Sequence, residues 1–312
     1  LNWKQIDHDI RIGFALTADQ TRRMLGDDER GELAARAVLG VETTRYDLMS
    51  DHLDDDNMLS SFDIEDTPFY EAAKTCFDII SSKCRLEDID VSSNRLDGEQ
   101  TLSYFIHAMP REILGLYDVP AIFDGMDAPL PNLLAKCTAK LNLAEFMQEL
   151  CDQTCETIGI GFTPTDVAVL GQMNVRTVRN HFGPKGDKAI KSYSLGTSAH
   201  RSDLVIGDAL DSIEWLAGRR GFEPGGVSAN WMNAKMETIQ SAMKANALPG
   251  IFAWLNRQTS EVISEKLGWP PAKFSKWVRS VSVKQVDAAA VANAVGLDPK
   301  TYSELMARLA SA

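Results

Sequence analysis

Apolar residues in the first half of the chain recur at intervals of three and four, a spacing that aligns them on one helical face. The pattern predicts helices in four stretches: 18–39, 68–82, 98–116 and 132–158. Pro110 should break or kink the third of them. Three consecutive aspartates at 54–56 are interpreted as a solvated loop, the usual setting of a charge run. The spacing therefore predicts an acidic helical domain over residues 1–158, with a role in dimerisation or sensing.

Glycine and proline punctuate the second half and mark the ends of its segments. The clusters lie at 159–164, 182–186, 221–226 and 268–271. They divide this half into a unit at 159–224, a linker helix at 225–246 and a unit at 247–312. Together with the first half, they predict a mainly α, multi-domain protein.

Residues 166–180 read DVAVLGQMNVRTVRN and fit two short helices better than one. Thr163 is suited to cap the first helix, with Pro164 at its first position and Asp166 near the positive end of its dipole. A break at 171–174 keeps glycine and asparagine out of a helix interior, where glycine alone costs roughly 1 kcal/mol relative to alanine. Asn174 then caps the second helix. Its exposed positions carry four hydrogen-bonding side chains: Arg176, Thr177, Arg179 and Asn180.

A basic segment follows this pair of helices and predicts a loop or β-hairpin. Its cationic side chains and histidine are Lys185, Lys188, Lys191, His200 and Arg201. A short apolar strand at 204–206 and an amphipathic helix containing Trp215 come next.

A second pair of helices is predicted at 259–280, TSEVISEKLGWPPAKFSKWVRS. Ser264 and Gly268 are four residues apart, and three aromatic residues take apolar positions after the turn: Trp269, Phe274 and Trp277. The second helix begins with side chains that cannot read bases, at 270–272. Polar and cationic groups follow: Lys273, Ser275, Lys276 and Arg279. Two further short helices are predicted, separated by GLDP.

Both stretches resemble the helix-turn-helix of bacterial DNA-binding regulators. The first, with its basic hairpin, resembles winged domains of the MerR and excisionase type, and its spacing is also similar to LacI-type headpieces. The second resembles the five-helix domain of Cro/Xre-type repressors. Gln172 departs from the pattern, because such motifs favour glycine at that turn position.

The resemblance implies a sequence-specific protein for double-stranded DNA, acting as a transcriptional regulator and a homodimer. Arg176, Thr177 and Asn180 are the expected base contacts, since Arg–guanine and Asn–adenine pairs match the major-groove pattern. The expected phosphate contacts are Arg179, Lys185, Lys188, Lys191, Arg201, Lys273, Lys276 and Arg279. A domain of this fold can instead bind protein, so the second unit is open to either role.

The net charge of −12 conceals a division that bears on this expectation. Residues 1–160 carry 14 Lys and Arg against 31 Asp and Glu, whereas residues 161–312 carry 18 against 13. A polyanion is therefore expected to bind the second half.

The remaining sequence offers little catalytic chemistry. The stretch DHD at 7–9 could hold a metal, but it is interpreted as a polar helix start, and the five cysteines as reduced thiols. No phosphate-binding loop, nucleophile elbow or HExxH motif occurs. We therefore expect no enzyme activity, cofactor or metal. The lack of a long apolar run predicts a cytoplasmic protein without membrane contact. Two alternatives stay open: a protein-interaction adaptor, and a sensing or enzymatic N-terminal domain targeted to DNA.

Overall fold

The computed structural model is mainly helical with one small sheet, as the sequence predicts. It describes residues 1–26, 29–40, 59–81, 84–108, 128–151, 161–184, 189–195 and 204–311. Its contacts divide into two compact units: residues 1–80 with 90–138, and residues 81–89 with 139–312. The four predicted domain segments stay a prediction.

The first unit is built from helices. They are α1 (Trp3–Leu25), α2 (Glu29–Leu39), α3 (Pro68–Ile80), α4 (Val91–Ser93), a π-helical segment (Asn94–Gln100), α5 (Thr101–Ala108) and the start of α6 (Pro129–Cys151). The predicted stretch 18–39 is divided between α1 and α2, because Gly26 has φ 101°, outside the right-handed helical region. Pro110 and the aspartates at 54–56 lie outside the described residues.

Helix α1 anchors this unit through one buried arginine. The Arg11 guanidinium donates to the carbonyl oxygens of Leu59 (3.2 Å) and Phe62 (2.8 Å). Its Nε pairs with Asp7 one turn earlier, at 3.1 Å. The same Asp7 accepts the hydroxyl of Tyr70 at 2.7 Å. The DHD stretch at 7–9 thus lies within α1, and its Asp7 links α1 to α3.

The second unit holds the sheet and the remaining helices. In chain order they are α7 (Pro164–Leu170), α8 (Val175–Arg179), β1 (Phe182–Gly183), β2 (Ile190–Leu195), β3 (Leu204–Gly207), α9 (Ala209–Ala217), α10 (Ala229–Lys235), α11 (Ala242–Leu255), α12 (Ser260–Lys266), α13 (Pro271–Val278), α14 (Ala288–Val295) and α15 (Pro299–Ser311). Strand β1 pairs with β2 in parallel, and β2 pairs with β3 antiparallel. Phe162 adds an antiparallel bridge to Gly207. The predicted strand at 204–206 is therefore present.

The expected linker helix at 225–246 is not one helix. Helix α10 ends at Lys235, a 3₁₀ turn follows over Met236–Thr238, and α11 begins only at Ala242. The break is stabilised by the hydroxyl of Thr238, which donates to the carbonyl of Lys235 at 2.8 Å. Ile239 is buried in extended conformation beyond it.

Helix α11 is the core of the second unit, because every residue from Lys244 to Leu255 is buried. Pro249 lies inside this helix and removes the backbone hydrogen bond that the carbonyl of Ala245 would accept. That carbonyl instead accepts the buried hydroxyl of Tyr302, at 2.8 Å, from α15. The proline is accommodated because a side chain from another helix satisfies the released acceptor.

Candidate nucleic-acid interface

The first short helix, α7, begins as its sequence predicts. Thr163 is the N-cap and forms a capping box with Asp166: its Oγ1 accepts the Asp166 amide at 3.1 Å, and Oδ2 of Asp166 accepts the Thr163 amide at 2.9 Å. Pro164 occupies the first turn. This cap fixes where the pair of helices starts.

The predicted break between the two helices is present at residues 171–174. Gln172 adopts the left-handed conformation with φ 52°. The Met173 amide donates to the carbonyl of Ala168 at 2.8 Å, and the Gln172 amide donates to that of Val169 at 3.2 Å. These two bonds are the pattern of a helix ending in a left-handed residue. Gln172 therefore occupies the position at which glycine is expected.

Helix α8 presents a polar surface to solvent while a buried valine anchors it. Its cap is Asn174, whose side-chain oxygen accepts the Arg176 amide at 2.8 Å. Val178 is fully buried. We call the exposed side chains of this helix the reading face: Arg176, Thr177, Arg179 and Asn180. Among the residues that the structure describes, none of these four side chains has a hydrogen-bond or ion-pair partner, so their donors and acceptors are free for a ligand.

The strand that follows places one predicted cation on an exposed face. Lys191 on β2 is exposed, and its Nζ lies 5.2 Å from the ring centre of the half-exposed Tyr193. Tyr193 was not predicted from the sequence, although alternation along a strand places it on the same face as Lys191. The predicted contacts Lys185, Lys188 and Arg201 lie outside the described residues, as does His200.

The second predicted turn, between α12 and α13, repeats the geometry of the first. Gly268 has φ 65° and donates its amide to the Glu265 carbonyl at 3.0 Å. The Trp269 amide donates to the Ser264 carbonyl at 2.8 Å. Ser264 corresponds to Ala168 as a small buried residue at the helix crossing. The two pairs of helices therefore share one turn geometry despite different side chains.

Helix α13 differs from α8 in the contacts that its polar side chains make. Lys273 and Lys276 are exposed, and Nζ of Lys273 lies 3.9 Å from both the ring centre of Trp269 and a carboxylate oxygen of Asp287. Ser275, at the position that Arg179 holds in α8, donates to Glu214. The two lysines remain on the surface, while Ser275 is engaged within the protein.

Arg279, expected to contact phosphate, is paired inside the protein. Its Nη2 lies 2.6 Å from carboxylate oxygens of both Asp211 and Glu214 on α9. The role of these two acidic residues was not predicted from the sequence. A signal existed in their three-residue spacing on a predicted helix, but sequence alone does not show which cation lies opposite.

The described part of the chain shows no cluster suited to metal chemistry. Within the residues described, no group of three or more His, Cys, Asp or Glu is placed to hold a metal ion. Asp9 is buried and lies beside His8, 3.7 Å between Oδ1 and Nδ1. Cys76, Cys137 and Cys151 are buried, and burial raises the pKa of the Cys151 thiol to about 11. A thiol held in this way is a poor nucleophile at neutral pH.

Comparison with protein-family models, with curated proteins and with solved structures finds no match for this chain. Among the described residues, no helix is both long and apolar enough to cross a membrane. The features of this chain that bear on function are the geometry of the two pairs of helices and the side chains that they expose.

Proposed function

We propose that this protein binds double-stranded DNA in a sequence-specific manner, as a transcriptional regulator of the helix-turn-helix type. Helices α7 and α8 are the helix-turn-helix, strands β2 and β3 are the stem of its wing, and helices α11 to α15 form the Cro-like domain. In this proposal the protein acts in the cytoplasm and as a homodimer, which would place two reading helices on two half-sites.

The observation that carries the proposal is the reading face of α8, whose side chains have no partner within the part of the chain that the structure describes. Two guanidinium groups, a hydroxyl and an amide are held on one short helix by a capped turn and a buried valine. Among the described residues, neither arginine of this helix has a carboxylate partner, and both guanidinium groups are exposed to solvent. Arg176 and Asn180 have the donor and acceptor sets that match guanine and adenine edges.

The charges around this helix support the same partner. The wing strand adds Lys191, and α13 adds Lys273 and Lys276, all exposed. Because the second half of the chain is net positive and the first half strongly negative, a polyanion is attracted to the half that holds the reading face. Arg179 and these lysines are assigned to phosphates, and Arg176, Thr177 and Asn180 to bases. Arg279 is assigned to its internal carboxylate partners instead.

Fluorescence anisotropy on DNA duplexes selected from a random pool tests the proposal. The double variant Arg176→Ala/Asn180→Ala should relax base preference by about 1–3 kcal/mol for each contact. The variant Lys4→Ala/Lys74→Ala, which removes two exposed charges from the first unit, serves as a control and should leave the preference unchanged. Failure of the native protein to bind any pool member at low salt would overturn the proposal.

A further inference from the structure

Helix α9 holds the second pair of helices through one carboxylate. Oε1 of Glu214 accepts hydrogen bonds from Ser260 on α12, at 2.5 Å, and from Ser275 on α13. Its other oxygen pairs with Arg279 at the end of α13. Ser260 also accepts the indole N–H of Trp254 in the core, at 3.0 Å. One side chain of α9 therefore fixes both helices of the second turn.

Asp211, one turn earlier on α9, extends the same connection to the wing. One of its oxygens accepts the backbone amide of Lys191 on β2, at 3.0 Å. The other accepts both Nε and Nη2 of Arg279, at 3.1 and 2.6 Å. We call these side chains the clasp: Asp211, Glu214, Ser260, Ser275 and Arg279. The clasp joins the wing strand, α9, α12 and α13 by hydrogen bonds and ion pairs.

Backbone packing joins the first pair of helices to the same body. A side-chain carbon on Gly221 would lie 2.5 Å from the carbonyl oxygen of Gly171, so the chain after α9 lies directly against the first turn. The adjacent residue, Arg220, is tied to the segment after α11, because Arg257 donates to the Arg220 carbonyl at 3.3 Å. Helices α8 and α13 thus belong to one packed unit.

The size of that unit fits one turn of DNA. A compact body of roughly 180 residues has a radius of gyration of about 16 Å. Successive major-groove faces of a duplex are about 34 Å apart. A body of this size is wide enough to span that distance.

The second surface has the chemistry for phosphates and lacks that for bases. Helix α13 starts with Pro271 and Ala272, which carry no side-chain donors, and Ser275 is engaged in the clasp. Lys273 and Lys276 are the cations that its exposed side offers. Lysine neutralises phosphate as a point charge without reading sequence.

We propose that one chain engages two segments of the same duplex: α8 reads bases in the first, and α13 grips the backbone of the second at a distance set by the clasp. This inference rests on the proposed function. It makes the DNA site of each protomer longer than one half-site and asymmetric, with sequence read at one end and backbone held at the other.

Hydroxyl-radical footprinting tests this on a 40-base-pair duplex that carries the sequence selected from the random pool. The native protein should protect a further segment about one helical turn outside the selected sequence, beyond any second half-site that the partner protomer of the proposed homodimer occupies. That protection should stay at the same distance when the bases beneath it are changed. In the variant Lys273→Ala/Lys276→Ala it should disappear, and the slope of log affinity against log salt should become shallower by about 2, since each phosphate contact contributes about 0.9.

The clasp is tested separately by Glu214→Gln/Arg279→Met, which leaves both lysines and the reading face in place. The second protection should then become weak or spread over several positions, while the first is retained. The control Lys4→Ala/Lys74→Ala should keep both segments.

The outcomes of these experiments distinguish this inference from the proposed function. Binding that protects the selected sequence alone in the native protein would overturn this inference and leave the proposed function standing. An unchanged second segment in Lys273→Ala/Lys276→Ala, or sedimentation that shows one chain bridging two duplexes, would also overturn it. Absence of binding to every duplex would refute both.

Discussion

The left-handed turn residues give a matched pair of substitutions that tests the described turn geometry. Gln172 and Gly268 occupy equivalent positions with φ 52° and 65°. A side chain at such an angle costs roughly 1–2 kcal/mol because its Cβ crowds the following carbonyl. Replacing glycine by alanine offsets part of this cost, about 0.4–1 kcal/mol, because alanine reduces the conformational entropy of the unfolded chain. The net effect at either site is therefore about 0.5–1 kcal/mol.

The two substitutions should change stability in opposite directions. Gln172 is exposed, so Gln172→Gly removes the backbone penalty with little lost packing and should stabilise the protein. In Gly268→Ala the new methyl group meets no atom within 4 Å, so the expected destabilisation comes from the backbone angle alone. Urea unfolding at 25 °C, followed by tryptophan fluorescence, measures both, with the buried Trp254 reporting on the second unit. Destabilisation by Gln172→Gly together with no effect of Gly268→Ala would refute the shared turn.

Two further predictions concern buried polar groups. Burial raises the pKa of Asp9 to about 6 and outweighs the opposing effect of His8. Between about pH 4 and 6 the folded state keeps a proton that the unfolded state has already released. The stability that this group contributes therefore falls as pH rises through that window. Asp9→Asn should remove this loss and stabilise the protein by about 1–3 kcal/mol at pH 7.5 but little at pH 4. Thermal unfolding at both pH values measures the difference, and an equal gain in stability at the two would contradict the prediction. Tyr302→Phe should lower the free energy of unfolding, measured in urea, by about 1–2 kcal/mol, because the carbonyl of Ala245 loses its donor. A change below about 0.3 kcal/mol would show that this carbonyl has another partner.

Local signals in the sequence predicted those parts of the structure that local physics determines. Thr163 and Asn174 cap the two short helices because their side-chain oxygens reach amides that a helix start leaves unpaired. The break at 171–174 and the strand at 204–206 follow from glycine content and apolar spacing. Each of these features depends on residues a few positions apart.

Features that depend on distant residues were not predictable in the same way. Arg279 is one of the cations that the sequence leaves on the second helix of its pair and was therefore expected to contact phosphate, but its carboxylate partners lie more than sixty residues earlier. The linker helix expected at 225–246 failed for a similar reason, since its periodic pattern does not show that Ile239 is buried in an extended segment. Helix propensity is a weak guide where tertiary burial of one side chain outweighs it.

Helices α8 and α13 differ in which of their side chains have partners within the protein. Both α8 and α13 carry two cations on the exposed side of the same turn geometry, so charge and spacing alone make them appear equivalent. Packing removes that equivalence, because α9 supplies acceptors to Ser275 and Arg279 but supplies none to Arg179 or Asn180. A side chain already hydrogen-bonded in a fixed position cannot also read a base without losing that bond. In the proposed function, the acidic residues of α9 therefore decide which of the two helices is free to read DNA and which is held as part of the scaffold.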